Sequence, residues 1–586
     1  MPPKKGSSKT RNSSSKRRVT KSKANVTKKA KTDTAPTPPP PIIGPLPTLI
    51  LDTGGWNIKH GTVYPGSMLQ RNNDVKPTKS QNVSAKPSYQ LATLLSSQID
   101  TIQNKSQLVT TRPLERGYIV DLGTQFQIWD YILQLENLEA RHSFSNGGVS
   151  GVMPSVSLQP KPKTKINASV ATEVEETQKI FTHTAAVFCL TQPFTPRCIL
   201  EREDEVWFRD FGFGKVARKL GPCCSAFKYL KEIKAPRESK EVTTITSTAR
   251  MRLEDDETGC CCVVDSGFSM TTVVPTMNAV ALIKGIRRIN IGGKLLTNLL
   301  KQTISYRKFN MMDEFFIVNE AKEALCFLSL NFDLEMKKAR EVREGRRWFD
   351  REFVLPDFVD TFEGTVRLPA ILKHLNNTEG KEYFKDCDAT GEKDSNNVEN
   401  DENQPVAANE ENSQDASDDE TEDQARKRIF KQREEERRLQ ELEEQERQAL
   451  PLSTERFAIP EILFNPSDVG IGQLGLAETI VQSIEACDPI YREALYHNIL
   501  LTGGNVKISF FRERLEAELR SLVPSKYKIR VYSPKHPDEY AWEGAKAFVR
   551  AKNMASSLYL ERAAWESRKE SGNEIWNESL LGCNNT

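Results

Sequence analysis

Three short turns carry the residue types from which a phosphate site can be made. Leu49-Ile50-Leu51 is apolar and ends in Asp52-Thr53-Gly54. Cys260 to Val264 is apolar and ends in Asp265-Ser266-Gly267, and Asn498 to Leu501 is mostly apolar and ends in Thr502-Gly503-Gly504. A glycine directly after a strand permits a turn with positive φ and lets successive backbone N–H groups face a phosphate with no side chain between them. One such turn says little. Two that carry aspartate, far apart in the chain, suit a magnesium-phosphate ligand held between two halves of a molecule. Magnesium keeps several waters and takes few carboxylates, so Asp52 and Asp265 are expected to reach the metal through water. Ordinary strand-end turns would look the same, and spacing alone leaves both readings open.

The elements that must position these turns alternate short apolar strands with helical patterns, which argues for an α/β fold. An apolar helix is expected over Phe126 to Leu135 and a strand over Ala185 to Leu190. A chain of 586 residues predicts about four compact units at roughly 150 residues each. His142 to Thr172, rich in Ser, Gly, Pro and Lys, reads as a surface loop insertion. Another polar stretch begins near Asn376, becomes acidic, and passes from about Asp423 to Leu450 into a Glu/Arg-dense segment. There opposite charges sit four apart, as in Glu434 with Arg438 and Glu443 with Arg447, and the few apolar residues make no heptad seam. This pattern predicts an exposed helix supported by i,i+4 ion pairs rather than a coiled coil.

The 82 Lys and Arg against 80 Asp and Glu leave a formal charge of +2, and this balance hides two charged segments. Residues 1–31 hold twelve basic side chains and no acid; residues 386–423 hold fifteen acids and one base, Lys393. Met1 to about Leu46 is too poor in apolar residues to offset the entropy of ordering, so a disordered tail is expected. Its clusters Lys16-Arg17-Arg18 and Lys28-Lys29-Ala30-Lys31 suit nuclear import, a counterion-releasing grip on DNA, or mere solubility. The acidic insert suits a basic partner such as a histone, through salt-sensitive attraction, or is a tolerated polar loop.

No stretch reaches the ~18 apolar residues that cross a bilayer, and the N-terminus has no apolar h-region, so no membrane partner is expected and no secretion. The eleven cysteines include Cys223-Cys224 and Cys260-Cys261-Cys262, but none forms a C-x2-C pair with further ligands at zinc spacing. Buried reduced thiols are the expected reading.

These residues carry a family resemblance. Leu49-Ile50-Leu51-Asp52-Thr53-Gly54 with Lys59 and Gly61 resembles the first phosphate loop of the actins, and Val263-Val264-Asp265-Ser266-Gly267 with Thr271 and Val274-Pro275 resembles their second. The likeness continues through Leu114 to Gly117, Ala321-Lys322-Glu323-Ala324-Leu325-Cys326, Arg456-Phe457 to Gly470, Leu501-Thr502-Gly503-Gly504 and Tyr540-Ala541-Trp542-Glu543-Gly544. Within that family, Ile289 to Asn298, Ile304-Ser305-Tyr306-Arg307, Val354-Leu355-Pro356-Asp357-Phe358 and Glu461 to Asp468 are similar to the actin-related protein 6 branch.

The resemblance implies an actin-like two-lobed α/β fold of ribonuclease H-like repeats in four subdomains. Its limits would be a tail at 1–46, a first lobe at 47–262, a second at 263–375 resumed at 451–539 around the insert 376–450, and a return to the first lobe over 540–586. It implies that Gly54, Lys59, Ser266 and Gly267 contact phosphates, Lys322 and Glu323 the ribose and adenine, and Gly503, Gly504 and Asn505 the base side. The implied cofactor is structural ATP or ADP with magnesium. It also implies a nuclear, non-catalytic scaffold in a Swr-type remodelling complex that exchanges a variant histone, with the motor, other subunits, histones or nucleosomes as partners, and no filaments. The alternatives are an ATP-hydrolysing enzyme of the fold shared with heat-shock chaperones and sugar kinases, or another nuclear or cytoskeletal actin-related subunit.

Departures from the actin pattern shape this expectation. Trp56 stands where actins have glycine, Phe268 where they have aspartate, Ser269 where they have glycine, and Glu539 where they have a lysine near the base. Counted ungapped from Phe208 and Phe211, the positions of the glutamine and histidine that orient the attacking water hold Gly221 and Thr272. No glutamine occurs from Pro193 to Leu300 and no histidine between His183 and His374. Phosphoryl transfer is largely positioning, so hydrolysis is not expected.

Overall fold

The computed structural model describes residues 47–63, 75–87, 93–102, 104–106, 108–145, 185–234, 259–342, 347–358, 361–369, 449–551, 559–571 and 583–584. The basic tail, most of the 142–172 insertion, the acidic insert and the Glu/Arg-dense segment lie outside the described residues. Among the described residues, no helix is long and apolar enough to cross a membrane.

Two large sheets repeat one plan. In the first, β1 (Thr48–Thr53), β2 (Asn57–Val63) and β3 (Thr78–Gln81) form an antiparallel run, and β1 pairs in parallel with β4 (Ala186–Thr191), which pairs in parallel with β5 (Lys215–Leu220). Tyr559–Glu561 closes the far edge. The runs Leu49-Ile50-Leu51 and Ala186 to Phe188 are buried throughout, as strands covered on both faces should be. Helices α1 (Leu122–Ser145) and α2 (Gly221–Lys234) belong to this half.

In the second sheet, β6 (Cys260–Ser266) forms a hairpin with β7 (Thr271–Met277), which also pairs with β8 (Val280–Leu282) and β9 (Arg287–Ile289). Strand β10 (Ile499–Thr502) lies parallel to β6, and β11 (Val531–Tyr532) lies outside it. Helices α3 (Gly293–Arg307) and α4 (Phe315–Leu325) follow β9. Each sheet thus has an aspartate-ended strand, a hairpin partner and a parallel neighbour. Each half also has a small three-stranded sheet: Ser84–Pro87, Leu94–Leu95 and Leu108–Thr111 in the first, and Arg351–Val354, Thr365–Arg367 and Ala449–Leu452 in the second.

Helix α2 and helix α5 (Tyr540–Arg550) supply an apolar layer shared by both sheets. Ile50, Phe188 and Ala217 from the first and Cys261, Val263 and Leu500 from the second join one cluster with Tyr540, Trp542 and Phe548. A Cβ at Gly544 would strike the Cys224 carbonyl, so glycine sets how closely α5 and α2 cross. Trp542, fully buried, donates from Nε1 to the Ile50 carbonyl at 3.2 Å and fills the space over Gly61. Eight of the nine described cysteines are buried; Cys198 is exposed.

Two expected limits differ from the structure. Strand β6 runs unbroken across the boundary placed after residue 262 and lies wholly in the second sheet, because its apolar run begins at Cys260. The final segment keeps to the first sheet at Tyr559–Glu561 but ends on the second, where Cys583 pairs with Ala281 of β8.

Arg218 on β5 is wholly buried, with Nη2 2.6 Å from Asp204 Oδ1 and Nη1 2.5 Å from Glu203 Oε2. Removing one member of a buried ion group leaves the others uncompensated, typically at about 3–5 kcal/mol. Arg218→Met should therefore lower the thermal midpoint by several degrees. A melt matching that of wild type would show that these charges are not buried in solution.

Candidate functional site

The β1–β2 and β6–β7 turns open onto a cavity of about 520 Å³, within the range of small-ligand clefts. Asp52, near the end of β1, sits in register with Lys59 of β2, and Lys59 Nζ lies 2.7 Å from Asp52 Oδ2. Burial alone would lower the Lys59 ammonium, but Asp52, with Asp265 and Asp538 beyond it, holds it above its ordinary value. The turn closes with Gly54 N donating to Asp52 O at 3.0 Å, and a Cβ on Gly54 would lie 2.6 Å from the Asn57 carbonyl.

Asp265 lies opposite Thr272 in the β6–β7 ladder and beside Thr502 of β10. Burial pushes its carboxyl up to about 6 and the Asp52 charge adds to the rise, against Lys59 and a hydrogen bond from Thr502. Two carboxylates with one lysine between them, at a glycine-lined cavity, form a site that a hydrated divalent cation and a phosphate chain could fill.

The third turn supplies the opposite wall. Gly503 has φ of 96° and packs onto the Ser266 carbonyl, an approach only glycine permits. Asn505 donates from Nδ2 to the Gly267 carbonyl at 2.8 Å, tying the third turn to the second. Lys322 on α4 is buried, its Nζ 2.9 Å from both Thr297 Oγ1 and Asn319 Oδ1, and burial lowers its ammonium. Glu323 is exposed and accepts from Asn319 Nδ2 at 2.8 Å.

Ten of the eleven residues singled out from sequence line this cavity: Asp52, Gly54, Lys59, Asp265, Gly267, Lys322, Glu323, Gly503, Gly504 and Asn505. Ser266 does not. Its side chain points into the protein, fully buried, with its hydroxyl 3.0 Å from Thr271 Oγ1 and accepting from Asn505 Nδ2 at 3.1 Å. Strand alternation explains this, since neighbours on a strand face opposite sides and Asp265 takes the cleft side.

Gly221 and Thr272, counted from sequence to the water-orienting positions, both stand on the cavity wall. The Thr272 hydroxyl is buried with no hydrogen-bond partner among the described residues. Glu539 is occupied elsewhere, its Oε1 lying 2.5 Å from Lys79 Nζ.

Lys79, Gln192, Lys507 and Asp538 are among the lining residues that escaped the sequence reading. Lys507 follows the Gly503-Gly504 turn, and its Nζ lies 2.9 Å from Asp538 Oδ1 while Lys79 Nζ lies 2.8 Å from Oδ2. Burial would raise the Asp538 carboxyl, but these two ammonium groups outweigh it and hold it at about 2. Gln192, directly after β4, also lines the cavity. The positive φ of Gly503 marks the turn that carries Lys507; the Lys79–Asp538 pairing spans 459 positions and left no local signal.

The actin family model matches residues 44–575. The chain belongs to the actin family. Members of that family generally bind ATP or ADP with magnesium. Curated relatives include an actin-related protein 6 of Neurospora crassa, 29% identical over 92% of this chain and 97% of its own. The actin-related protein 6 of Arabidopsis thaliana is 28% identical over 88% and 96%, and that of Drosophila melanogaster 27% identical over 88% and 95%. The likeness to actin-related protein 6 covers nearly the whole of each chain.

The raised Asp265 carboxyl has a consequence for stability. Between about pH 4 and 6 the native group keeps a proton that the unfolded group has released, so its contribution to stability falls as pH rises through that window and stays low above it. After discounting for water in the cleft, Asp265→Asn should stabilise the ligand-free protein by roughly 1–2 kcal/mol at pH 7. The gain should vanish at pH 4. Urea titrations at both pH values measure it, and equal differences at the two would contradict the assignment.

Proposed function

We propose that this actin-family protein is a nuclear scaffold that holds ATP or ADP with magnesium as a structural ligand rather than turning it over. Asp52, Asp265 and Lys59 would meet the phosphates and the hydrated metal. Gly54 and Gly267, whose N–H groups close their own turns onto Asp52 O and Met270 O, would let the backbone approach the phosphates, and Lys322, Glu323, Gly503, Gly504 and Asn505 would flank the nucleoside. Ser266 would act one step back, by fixing Asn505.

One observation supports the non-catalytic part: Gly221 and Thr272, the residues counted from sequence to the water-orienting glutamine and histidine positions, line the cleft beside its phosphate turns. A bound nucleotide then stabilises the fold by mass action. A second reading has its own observation, since Gln192 lines the same cavity and could orient water from the neighbouring strand end.

Similarity to actin-related protein 6 supports a reading of the partners. The protein would sit in a Swr-type remodelling complex whose motor resides on another subunit, and would help to exchange a variant histone. The acidic segment 386–423 suits histones, and the basic residues 1–31 suit import or DNA.

Purified full-length protein should release ATP or ADP on denaturation and show no phosphate release above background. Turnover abolished by Gln192→Ala would overturn the structural-ligand reading in favour of the second. Affinity purification from nuclei should recover a remodelling motor and histones; a partner set of cytoskeletal proteins would contradict the scaffold assignment.

A further inference from the structure

At the cavity three of the residues that depart from the actin pattern, Trp56, Phe268 and Ser269, come together. Trp56, from the β1–β2 turn, lies 5.1 Å ring to ring from Phe268 of the β6–β7 turn. It also lies 5.9 Å from Phe315 and 5.7 Å from Phe316, the first two residues of α4. Phe268 meets Phe315 edge-on at 6.2 Å. The turns are also in direct contact, because a Cβ on Gly55 would run into the Ser269 hydroxyl.

A guanidinium fills the centre of this cluster. Arg112 Cζ lies 4.3 Å from the Trp56 ring centroid, 5.2 Å from Phe268 and 5.7 Å from Phe315. Its Nη1 donates to the carbonyls of Gly55 at 3.3 Å and Asn82 at 3.4 Å, so it grips the first turn directly. Among the described residues no carboxylate pairs with it, and burial alone moves it down to about 9. A desolvated cation with no counter-charge depends on ring faces and carbonyl oxygens for compensation.

The contacts join both halves of the molecule. Phe316 packs onto the small apolar cluster of Val83, Ala85, Ile99 and Leu108 in the first half, while α4 lies against α3 in the second. Opening the cleft would expose four rings and strip the guanidinium of its ring partners together.

We propose that Trp56, Phe268, Phe315, Phe316 and Arg112 form an aromatic-cation latch that keeps the phosphate end of the cleft closed whether or not a ligand is bound. The ligand-free protein then already occupies the closed state, so a ligand that favours that state finds little open population to shift. The outer surface offered to partners stays the same through loading and release. Only the ligand arm of the test below rests on reading the cleft as a nucleotide site.

Hydrogen exchange of the amides in residues 54–57 and 267–270, in full-length protein stripped of nucleotide, tests this. Stripped wild type should already protect these amides as strongly as those of helix α5, and magnesium-ATP should only add to that protection. Trp56→Gly should speed their exchange in the stripped protein by about 100-fold, and the milder Arg112→Met by about 10- to 30-fold, the scale of one or two desolvated cation–π contacts. Helix α5 serves as an internal control for global folding. Unprotected turns in stripped wild type, or variants that exchange at the wild-type rate, would overturn the latch. Faster exchange that magnesium-ATP reverses supports both the latch and the nucleotide reading. Faster exchange on which magnesium-ATP has no effect supports the latch and counts against the nucleotide reading.

Discussion

The close crossing of α2 and α5 is the constraint on which the rest of the molecule depends. With no side chain at Gly544, the two helices approach until backbone meets backbone, and the layer they form is thin enough for both large sheets to reach it. Trp542 then fixes the height of β1 above that layer through its bond to the Ile50 carbonyl. The strand ends Asp52 and Asp265 are both two residues or fewer beyond buried members of this layer, Ile50 and Val263. Their separation is therefore set by helix packing, and a dense interior has little tolerance for small changes in volume. The Tyr540-Ala541-Trp542-Glu543-Gly544 run owes its character to this pivot more than to any ligand.

Much of the architecture was legible in the sequence because local chemistry and global position coincide. An apolar run ending in aspartate and glycine is both a buried central strand and a turn at a cleft, and the three such runs became β1, β6 and β10. Ser266 shows where residue type misleads: a serine beside a phosphate turn invites a ligand role, but the two-residue period of a strand sends it inward. Its neighbours Asp265 and Gly267 carried the information needed to see this. Lys79, Asp538 and Lys507 were not legible, since their meeting depends on three segments distant in sequence whose charges alone look like solvated surface.

The cleft is the part of the molecule that packing does not favour. Asp265 is held where its charge is disfavoured, Lys322 is buried among neutral oxygens, and the Thr272 hydroxyl has no partner among the described residues. Sites that must receive a polar ligand commonly retain such unmet electrostatics. The aromatic cluster beside it has the opposite character, gaining from contacts that need no ligand. The two sit within one turn of each other, Gly54 on the polar side and Trp56 on the apolar side.

Among the described residues, the cluster at the small sheet of Ser84–Pro87, Leu94–Leu95 and Leu108–Thr111 holds four buried apolar side chains, and Phe316 from the other half of the chain packs against it. A core of that size is below what an independent unit sustains. The protein is therefore not modular in the way its two-sheet plan suggests. A fragment carrying only the first half would expose this cluster and become adhesive for reasons unrelated to its natural partners, so contact surfaces on this protein are properly mapped by single substitutions in the intact chain and not by dissection.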